Sequence, residues 1–123
     1  MKRLLLIATV LLLASCGEDI KYGNEKLQTG TYATSVKAGT LCVDILDKKN
    51  CKTYLLGHED CGFDGTYDIN GSDIHIKGYA QSSKMGYDTY TFTGSVGGVT
   101  SETSFEYFVE TPDGKNLLTF NKR

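Results

Sequence analysis

Residues 65–76, GTYDINGSDIHI, alternate apolar and polar side chains on both sides of a short turn signal, Asn70-Gly71. Successive side chains of a β-strand point to opposite faces, so this period of two predicts two strands that each bury one face. Asn and Gly both tolerate a positive φ, and together they favour a tight hairpin turn. The stretch therefore predicts an antiparallel β-hairpin.

The same pattern continues from Leu27 to the end of the chain. Gly, Asn and Asp interrupt it about every ten residues, and no stretch shows the sustained spacing of an amphipathic helix. The turn signals Asp47–Asn50 and Thr111–Gly114 join neighbouring strands, which predicts an antiparallel meander. Eight strands are predicted, near residues 28–36, 40–46, 51–56, 65–70, 73–80, 87–96, 103–110 and 115–122.

The alternation also assigns side chains to faces. Because each strand has only one apolar face, a flat sheet would leave that face in water. Closure into a small barrel, or a strongly curled sheet, buries the face and removes the exposed edges. The fifteen inward side chains predicted are Tyr32, Leu41, Val43, Ile45, Tyr54, Leu56, Tyr67, Ile69, Ile74, Ile76, Phe92, Phe105, Tyr107, Leu118 and Phe120.

The hairpin at 65–76 resembles the G-T-Y-x-I-x-G-x-x-I-x-I hairpin of small lipocalin-like lipoproteins from Bacteroidota. Residues Thr29-Gly30-Thr31-Tyr32 are similar to the opening strand of the same family. The resemblance implies an eight-stranded up-and-down barrel carried by a lipoprotein. Members of the family mostly lack assigned activities, so the resemblance implies fold and location more than function.

The first sixteen residues predict export and a lipid anchor. Lys2 and Arg3 precede the apolar run 4–13, and Ala14-Ser15 supply the small residues of a cleavage site. A ten-residue helix reaches about 15 Å, half of the roughly 30 Å of a bilayer core, which excludes a membrane span. Leu13-Ala14-Ser15-Cys16 resembles a bacterial lipobox, which implies removal of residues 1–15 and acylation of Cys16, palmitate included.

Residues 16–26 are polar and predict a lipidated tether, which leaves residues 27–123 as one domain. Glu18-Asp19 resembles the acidic export tag of Bacteroidota lipoproteins and favours the outer membrane and its outer face; a solvated linker is the alternative. The formal net charge is −2, and loss of Lys2 and Arg3 makes it two units more negative. Such a chain lacks the basic patch that nucleic-acid binding requires.

Three further cysteines, Cys42, Cys51 and Cys61, lie in the predicted domain. Exported domains favour disulfides, and the predicted strand directions bring Cys42 and Cys61 to one rim. A Cys42–Cys61 disulfide is therefore expected, and a shifted turn would permit Cys51–Cys61 instead. No metal site and no cofactor are expected, because the spacing typical of zinc ligands is missing.

The sequence predicts a binding protein rather than an enzyme. No nucleophile elbow, phosphate loop or metal motif occurs, and the two histidines, His58 and His75, are not paired. Tyrosine combines a flat apolar ring with a polar tip, which suits recognition of sugars or proteins. Tyr79, Tyr87 and Tyr90 surround the loop 81–86 and are the predicted ligand-binding rim, the alternative being that such tyrosines fill the barrel.

One further feature of the predicted surface bears on function. Phe108 lies between Glu106 and Glu110 on the outer face of its strand and predicts a contact patch or a covered surface.

The leading hypothesis is an outer-membrane-anchored lipoprotein that binds a small ligand or a partner protein. The alternative is an inhibitor of a lysozyme-like or proteolytic enzyme, with 57–62 as the inserting loop, and a hydrolase is a third.

Overall fold

A computed structural model describes residues 27–85 and 88–123, which contain ten β-strands and no helix. The predicted signal peptide and tether lie outside these residues. The strands are β1 (Gly30–Val36), β2 (Gly39–Ile45), β3 (Asn50–Leu55), β4 (His58–Asn70), β5 (Asp73–Lys77), β6 (Tyr79–Ala80), β7 (Tyr90–Thr91), β8 (Gly97–Ser101), β9 (Ser104–Thr111) and β10 (Gly114–Lys122).

All strand pairs are antiparallel, and the sheet closes on itself through β10 and β1, where Tyr32 lies opposite Lys122. β5 and β6 are consecutive segments of one strand direction, separated only by Gly78, and together they occupy one position in the wall. β7 and β8 are consecutive segments of the opposite direction, and together they occupy the next position. The wall therefore has eight positions. The predicted eight-stranded antiparallel barrel is confirmed.

Two predicted strands have different bounds in the structure. The strand predicted at 65–70 already begins at His58, because β3 and β4 are joined by a short turn in which Leu55 lies opposite His58. The strand predicted at 87–96 is interrupted between β7 and β8. Gly94, at φ 89°, adopts a left-handed conformation that breaks the extended backbone there.

The marked turns form as predicted. Asp47 Oδ1 accepts hydrogen bonds from the backbone N–H groups of Lys49 and Asn50, at 2.8 and 2.7 Å, and so closes the β2–β3 turn. Gly71 has a φ of 67° in the β4–β5 turn, where the conformation favours glycine. Thr111 lies opposite Gly114 across the β9–β10 turn. These turns fix the register of the hairpins on both sides.

The interior is filled with aromatic and aliphatic side chains. Phe105 and Phe120 stack at 4.9 Å between ring centroids, and Phe92 contacts both Phe120 and Tyr107. Most predicted inward residues are buried, with Ile69 and Leu118 packed at the edge of the core. The exception is β3, whose predicted phase is wrong by one residue. Its inward residues are Cys51, Thr53 and Leu55.

Strand direction alternates around the barrel, so the turns collect at two ends. The loop end comprises 37–38, 56–57, 81–85, 88–89 and 112–113. The opposite end, called here the Leu27 end, comprises 46–49, 71–72, 102–103 and both ends of the described chain. Gln28 N donates to Glu102 O at 2.9 Å, and Arg123 N donates to Thr31 O at 2.9 Å, which fixes both ends of the chain there.

The wall is irregular between β5 and β9. β8 pairs with β5 only through Asp73 and Ile74, and past them residues 92–96 lie between β5 and β9 without a regular ladder. The buried Tyr107 hydroxyl closes this seam. It accepts a hydrogen bond from Ile76 N at 3.0 Å and lies 2.9 Å from Phe92 O and 2.8 Å from Ser95 O.

Candidate functional site: an end pocket and an outer groove

Tyr90, predicted to be a rim residue, belongs to the core. Its side chain is only 2% exposed, and its hydroxyl accepts a hydrogen bond from Ala38 N at 3.4 Å. The bond joins the start of β7 to the β1–β2 turn at the loop end. Tyr90 therefore closes this end of the barrel, and its ring is the floor of a pocket rather than a free surface.

That pocket, called here the end pocket, opens at the loop end and has a volume of about 320 Å³. Ligand sites in proteins commonly run from about 300 to 1,000 Å³. Apolar side chains form part of its wall and polar ones the remainder. The apolar residues are Val36, Tyr90, Pro112 and Leu118, and the polar residues are Ser35, Lys37, Asp88, Thr111, Asp113 and Asn116.

Polar contacts hold the mouth of the end pocket in place. Lys37 Nζ lies 3.5 Å from Asp113 Oδ2, so an exposed ion pair joins the β1–β2 turn to the β9–β10 turn. The Thr111 hydroxyl donates to Gly114 O at 2.7 Å and accepts from the Asn116 side-chain amide at 3.3 Å. The mouth thus carries an ammonium group, carboxylates and an amide around an aromatic floor.

Tyr79 lies on the opposite face of the wall from Tyr90. In the β6–β7 pair Ala80 faces Tyr90 and points inward, whereas Tyr79 points outward and is partly exposed. Its ring packs on Phe63 of β4, with centroids 4.8 Å apart. The two tyrosines therefore do not share one binding surface, and the predicted rim is corrected. The sequence pattern did not predict a role for Phe63.

The loop predicted at 81–86 lies partly within the described residues. Ser82 Oγ donates to Asp88 Oδ2 at 3.1 Å, and Met85, at 76% exposure, is the most exposed large apolar residue described. Gly86 and Tyr87 lie outside the described residues. Asp88 and Tyr90 both line the end pocket, and of these two only Tyr90 belongs to the predicted rim.

The three cysteines of the domain are free thiols. The predicted Cys42–Cys61 disulfide is wrong because β3 lies between the strands that carry them. Two strand spacings amount to about 9–10 Å, beyond the roughly 7 Å that a disulfide can bridge. Cys51–Cys61 fails as well, because Cys51 lies opposite Gly65, four residues beyond Cys61.

The environments of the thiols do not favour a nucleophile. Burial raises the pKa of Cys51 to about 12. Burial also raises the pKa of Cys42, despite the lowering effects of Tyr54 and Arg123. The pKa of Cys61 is raised by desolvation and by the carboxylate of Asp60. Because the thiolate is the reactive form, these cysteines are poorly reactive at neutral pH.

The outer face of β1, β2 and β3 carries a polar cluster that the sequence did not predict, because Tyr54 was predicted to point inward. Asp44 Oδ1 accepts hydrogen bonds from Thr31 Oγ1 at 2.8 Å and from the Tyr54 hydroxyl at 3.0 Å. Burial, and then the Asp44 carboxylate, raise the pKa of Tyr54. These bonds tie three neighbouring strands together and keep the tyrosine protonated.

His58 and the acidic residues after it do not form a loop. The predicted inserting loop at 57–62 is the start of β4, with only Gly57 of that range in the turn. His75 lies 3.7 Å from Asp68 on the outer face of the β4–β5 hairpin. Among residues 27–85 and 88–123, no group of three or more His, Cys, Asp or Glu side chains is arranged to hold a metal ion.

A second concavity, called here the outer groove, lies on the outer face over the seam and has a volume of about 630 Å³. Val96 and Phe108 contribute its apolar surface, 37% and 43% exposed. His75, Lys77 and Lys115 lie around them. The sequence signal for this groove was Phe108 on an otherwise polar face; the break in the strand at Gly94 that opens the groove carried no such signal.

No protein-family model, curated protein or solved structure matches this chain. The described residues contain no helix long and apolar enough to cross a membrane. The end pocket and the outer groove are the concave sites of the described residues that bear on function.

Proposed function

We propose that the chain is a non-enzymatic lipoprotein, anchored to the outer membrane through acylated Cys16, that binds a small polar ligand in the end pocket. The observation that carries the proposal is the position of that pocket. It lies at the loop end, whereas the chain enters the barrel at the opposite end, where Leu27 is buried in the core. A tether formed by residues 16–26 would thus present the pocket away from the membrane.

The interior of the barrel offers little alternative space for a ligand. An eight-stranded barrel is just wide enough either to be filled by side chains or to hold one small molecule. Here Tyr32, Phe92, Phe105, Tyr107 and Phe120 are all fully buried in it and contact one another as rings. Binding therefore belongs at the end of the barrel rather than along its axis.

The lining of the end pocket favours a hydroxyl-rich ligand such as a mono- or disaccharide. The Tyr90 ring and Pro112 supply apolar contact, and Asp88, Asp113 and Asn116 supply hydrogen-bond acceptors and an amide donor. A few polar groups around an aromatic surface are typical of sites that bind and orient small ligands. The pocket volume of about 320 Å³ suits a ligand of one or two rings.

The alternative function, an enzyme inhibitor, depended on a protruding loop at 57–62. Those residues belong mainly to β4 and are paired with β3. A hydrolase would need an activated nucleophile, and the raised pKa of each described thiol disfavours one. Ligand binding without chemistry is the function that the described geometry supports best.

The pocket assignment can be tested by saturation-transfer difference NMR on the full chain with a panel of neutral and acidic mono- and disaccharides. Asn116→Trp would fill the pocket from an exposed strand position, and Asn121→Trp places the same side chain near the Leu27 end of the same strand. We expect saturation transfer that N116W abolishes and N121W preserves. Equal binding by both variants, or no binding of any sugar, would contradict the assignment.

The anchor has a separate test. Mass spectrometry of the native protein should find acylated Cys16 as the first residue, and Cys16→Ser should move the protein from the membrane fraction to the soluble one. An unmodified Cys16 within an intact leader would refute the anchor and leave the pocket assignment untouched.

A further inference from the structure

We propose that the outer groove is a second binding site, which takes a single-chain amphiphile with an anionic head. Its apolar chain would lie on Val96 and Phe108, and its head would lie near Lys77 and Lys115. This site is separate from the end pocket, because the two share no lining residue. The proposal does not depend on the function argued above.

The apolar surface of the outer groove begins at the seam. Residues 92–96 replace a regular strand between β5 and β9, so the outer surface is recessed there. Phe108 projects into this recess, and Leu117, opposite it in the register of β9 and β10, extends the apolar surface and is also exposed. A contiguous exposed apolar patch bordered by polar residues marks an interaction site rather than ordinary surface.

The positive charge of the residues that line the outer groove favours an anionic ligand. His75, Lys77 and Lys115 line the groove, and no Asp or Glu does. Within the described part of the chain, the ammonium groups of Lys77 and Lys115 take part in no ion pair. Glu110 lies opposite Lys115 in the register of the strands without forming an ion pair with it. Two unpaired cations beside an apolar surface are complementary to an anionic head on an apolar chain.

The volume of the groove is consistent with one acyl chain of a ligand. Its volume of about 630 Å³ lies in the range of small-ligand sites. A free fatty acid and a single-chain phospholipid share this chemistry, an anionic head on one acyl chain.

The test uses photo-crosslinking on the full chain in phosphatidylcholine nanodiscs. Three probes carry the same diazirine-bearing tetradecyl chain and differ in the head: carboxylate, phosphate or trimethylammonium. We expect the carboxylate or phosphate probe to label peptides containing 93–96 and 108–115, at least fivefold more than the cationic probe. The carboxylate and phosphate arms distinguish a fatty acid from a phospholipid-like ligand.

Matched variants separate site binding from partition into the bilayer. Lys77→Gln with Lys115→Gln should reduce labelling at least fivefold, whereas Lys48→Gln with Lys49→Gln, which removes the same charge at the β2–β3 turn, should not. Phe108→Ser should also reduce labelling, and Val96→Ser replaces it if F108S does not fold. The proposal is overturned if labelling is the same for all three heads, if K77Q/K115Q is labelled as strongly as the wild type, or if the labelled peptides lie elsewhere on the barrel.

Discussion

The barrel wall is built in two ways. From β1 to β5, and between β9 and β10, neighbouring strands share ladders of at least five matched residues, with eight between β9 and β10 and seven between β1 and β2. The β10–β1 closure matches two residues and is reinforced by the hydrogen bond from Arg123 N to Thr31 O. Between β5 and β8 the ladder shrinks to two matched residues, and past them the seam is held by isolated hydrogen bonds, those of the Tyr107 hydroxyl and of single backbone groups such as Phe92 N to Gly78 O and Phe108 N to Val96 O. Both walls close the barrel, but the second depends on a few single contacts. Single substitutions should therefore reveal the difference.

Gly97→Ala should have the largest effect, because β8 and β9 approach too closely for a side chain. A Cβ at Gly97 would lie 2.1 Å from the Glu106 carbonyl oxygen and 2.8 Å from Tyr107 Cα, both of them backbone atoms. Forcing the strands apart should cost about 3 kcal/mol in the free energy of unfolding, at the upper end of typical overpacking. Urea denaturation measures this cost.

Gly98→Ala is the matched control, one residue along the same strand. A Cβ there would meet nothing closer than Ser72 O, at 3.9 Å. Its free energy of unfolding should stay within about 0.5 kcal/mol of the wild type. Equal losses at the two positions would mean that the cost comes from glycine in general and not from the close approach at the seam.

Tyr107→Phe should have the next largest effect. The substitution keeps the ring but removes the hydroxyl that accepts from Ile76 N and lies within reach of Phe92 O and Ser95 O. Leaving such buried backbone groups unpaired costs about 1–3 kcal/mol, and we expect about 2. Tyr32→Phe is the control, since its hydroxyl lies 2.7 Å from Gln28 O and 3.1 Å from Glu102 O, carbonyls of two exposed residues at the Leu27 end that water can reach when the hydroxyl is removed. A larger loss for Y32F than for Y107F would contradict the importance of the seam.

Thr53→Val tests a single contact next to the seam, between β3 and β6. The Thr53 hydroxyl donates to Tyr79 O at 2.6 Å and so holds the bend between β5 and β6 against β3. Valine has nearly the same shape, so the change isolates one hydrogen bond, worth about 1 kcal/mol. Thermal unfolding should show this loss, and Thr119→Val, at an exposed position on the outer face of β10, should not.

The difference between the walls also explains which parts of the structure the sequence could predict. The ladders on the continuous side follow from local signals: Asp47 and Asn50 close one turn, and Pro112 with Gly114 marks another. The seam depends on contacts between distant residues. Nothing local to Tyr107 indicates that its hydroxyl meets Ile76 and Ser95, which lie 31 and 12 residues away.

The residues whose positions were predicted wrongly are also explained by contacts between distant parts of the chain. On β3 the apolar residues do not alternate cleanly, since Tyr54, Leu55 and Leu56 are consecutive, and only the pairing of Leu55 with Leu41 sets the phase. Tyr90 was predicted at the rim because it follows a loop, but burial of an aromatic ring at the mouth closes the barrel. Of the tyrosines predicted to form the rim, only Tyr90 is among the lining residues of the end pocket.

The smallest effect should come from Asp47, on the continuous wall. Hydrogen bonds from Asn50 and Lys49 lower the pKa of its carboxyl group below the ordinary value. A lowered folded-state pKa means that the charged carboxylate contributes stability above the unfolded pKa of about 3.9, and that this contribution is lost as pH falls through the folded value. Asp47→Ala should thus lower the urea midpoint slightly at pH 7 and leave it close to the wild type at pH 2.

Asp64→Ala is the control for that comparison. Asp64 is exposed on β4, and its side chain accepts no hydrogen bond from the described residues. Its substitution should shift the midpoint equally little at both pH values. If D47A and D64A show the same pH dependence, the turn is held by strand pairing alone. A long ladder, unlike the seam, would then tolerate the loss of any single polar contact.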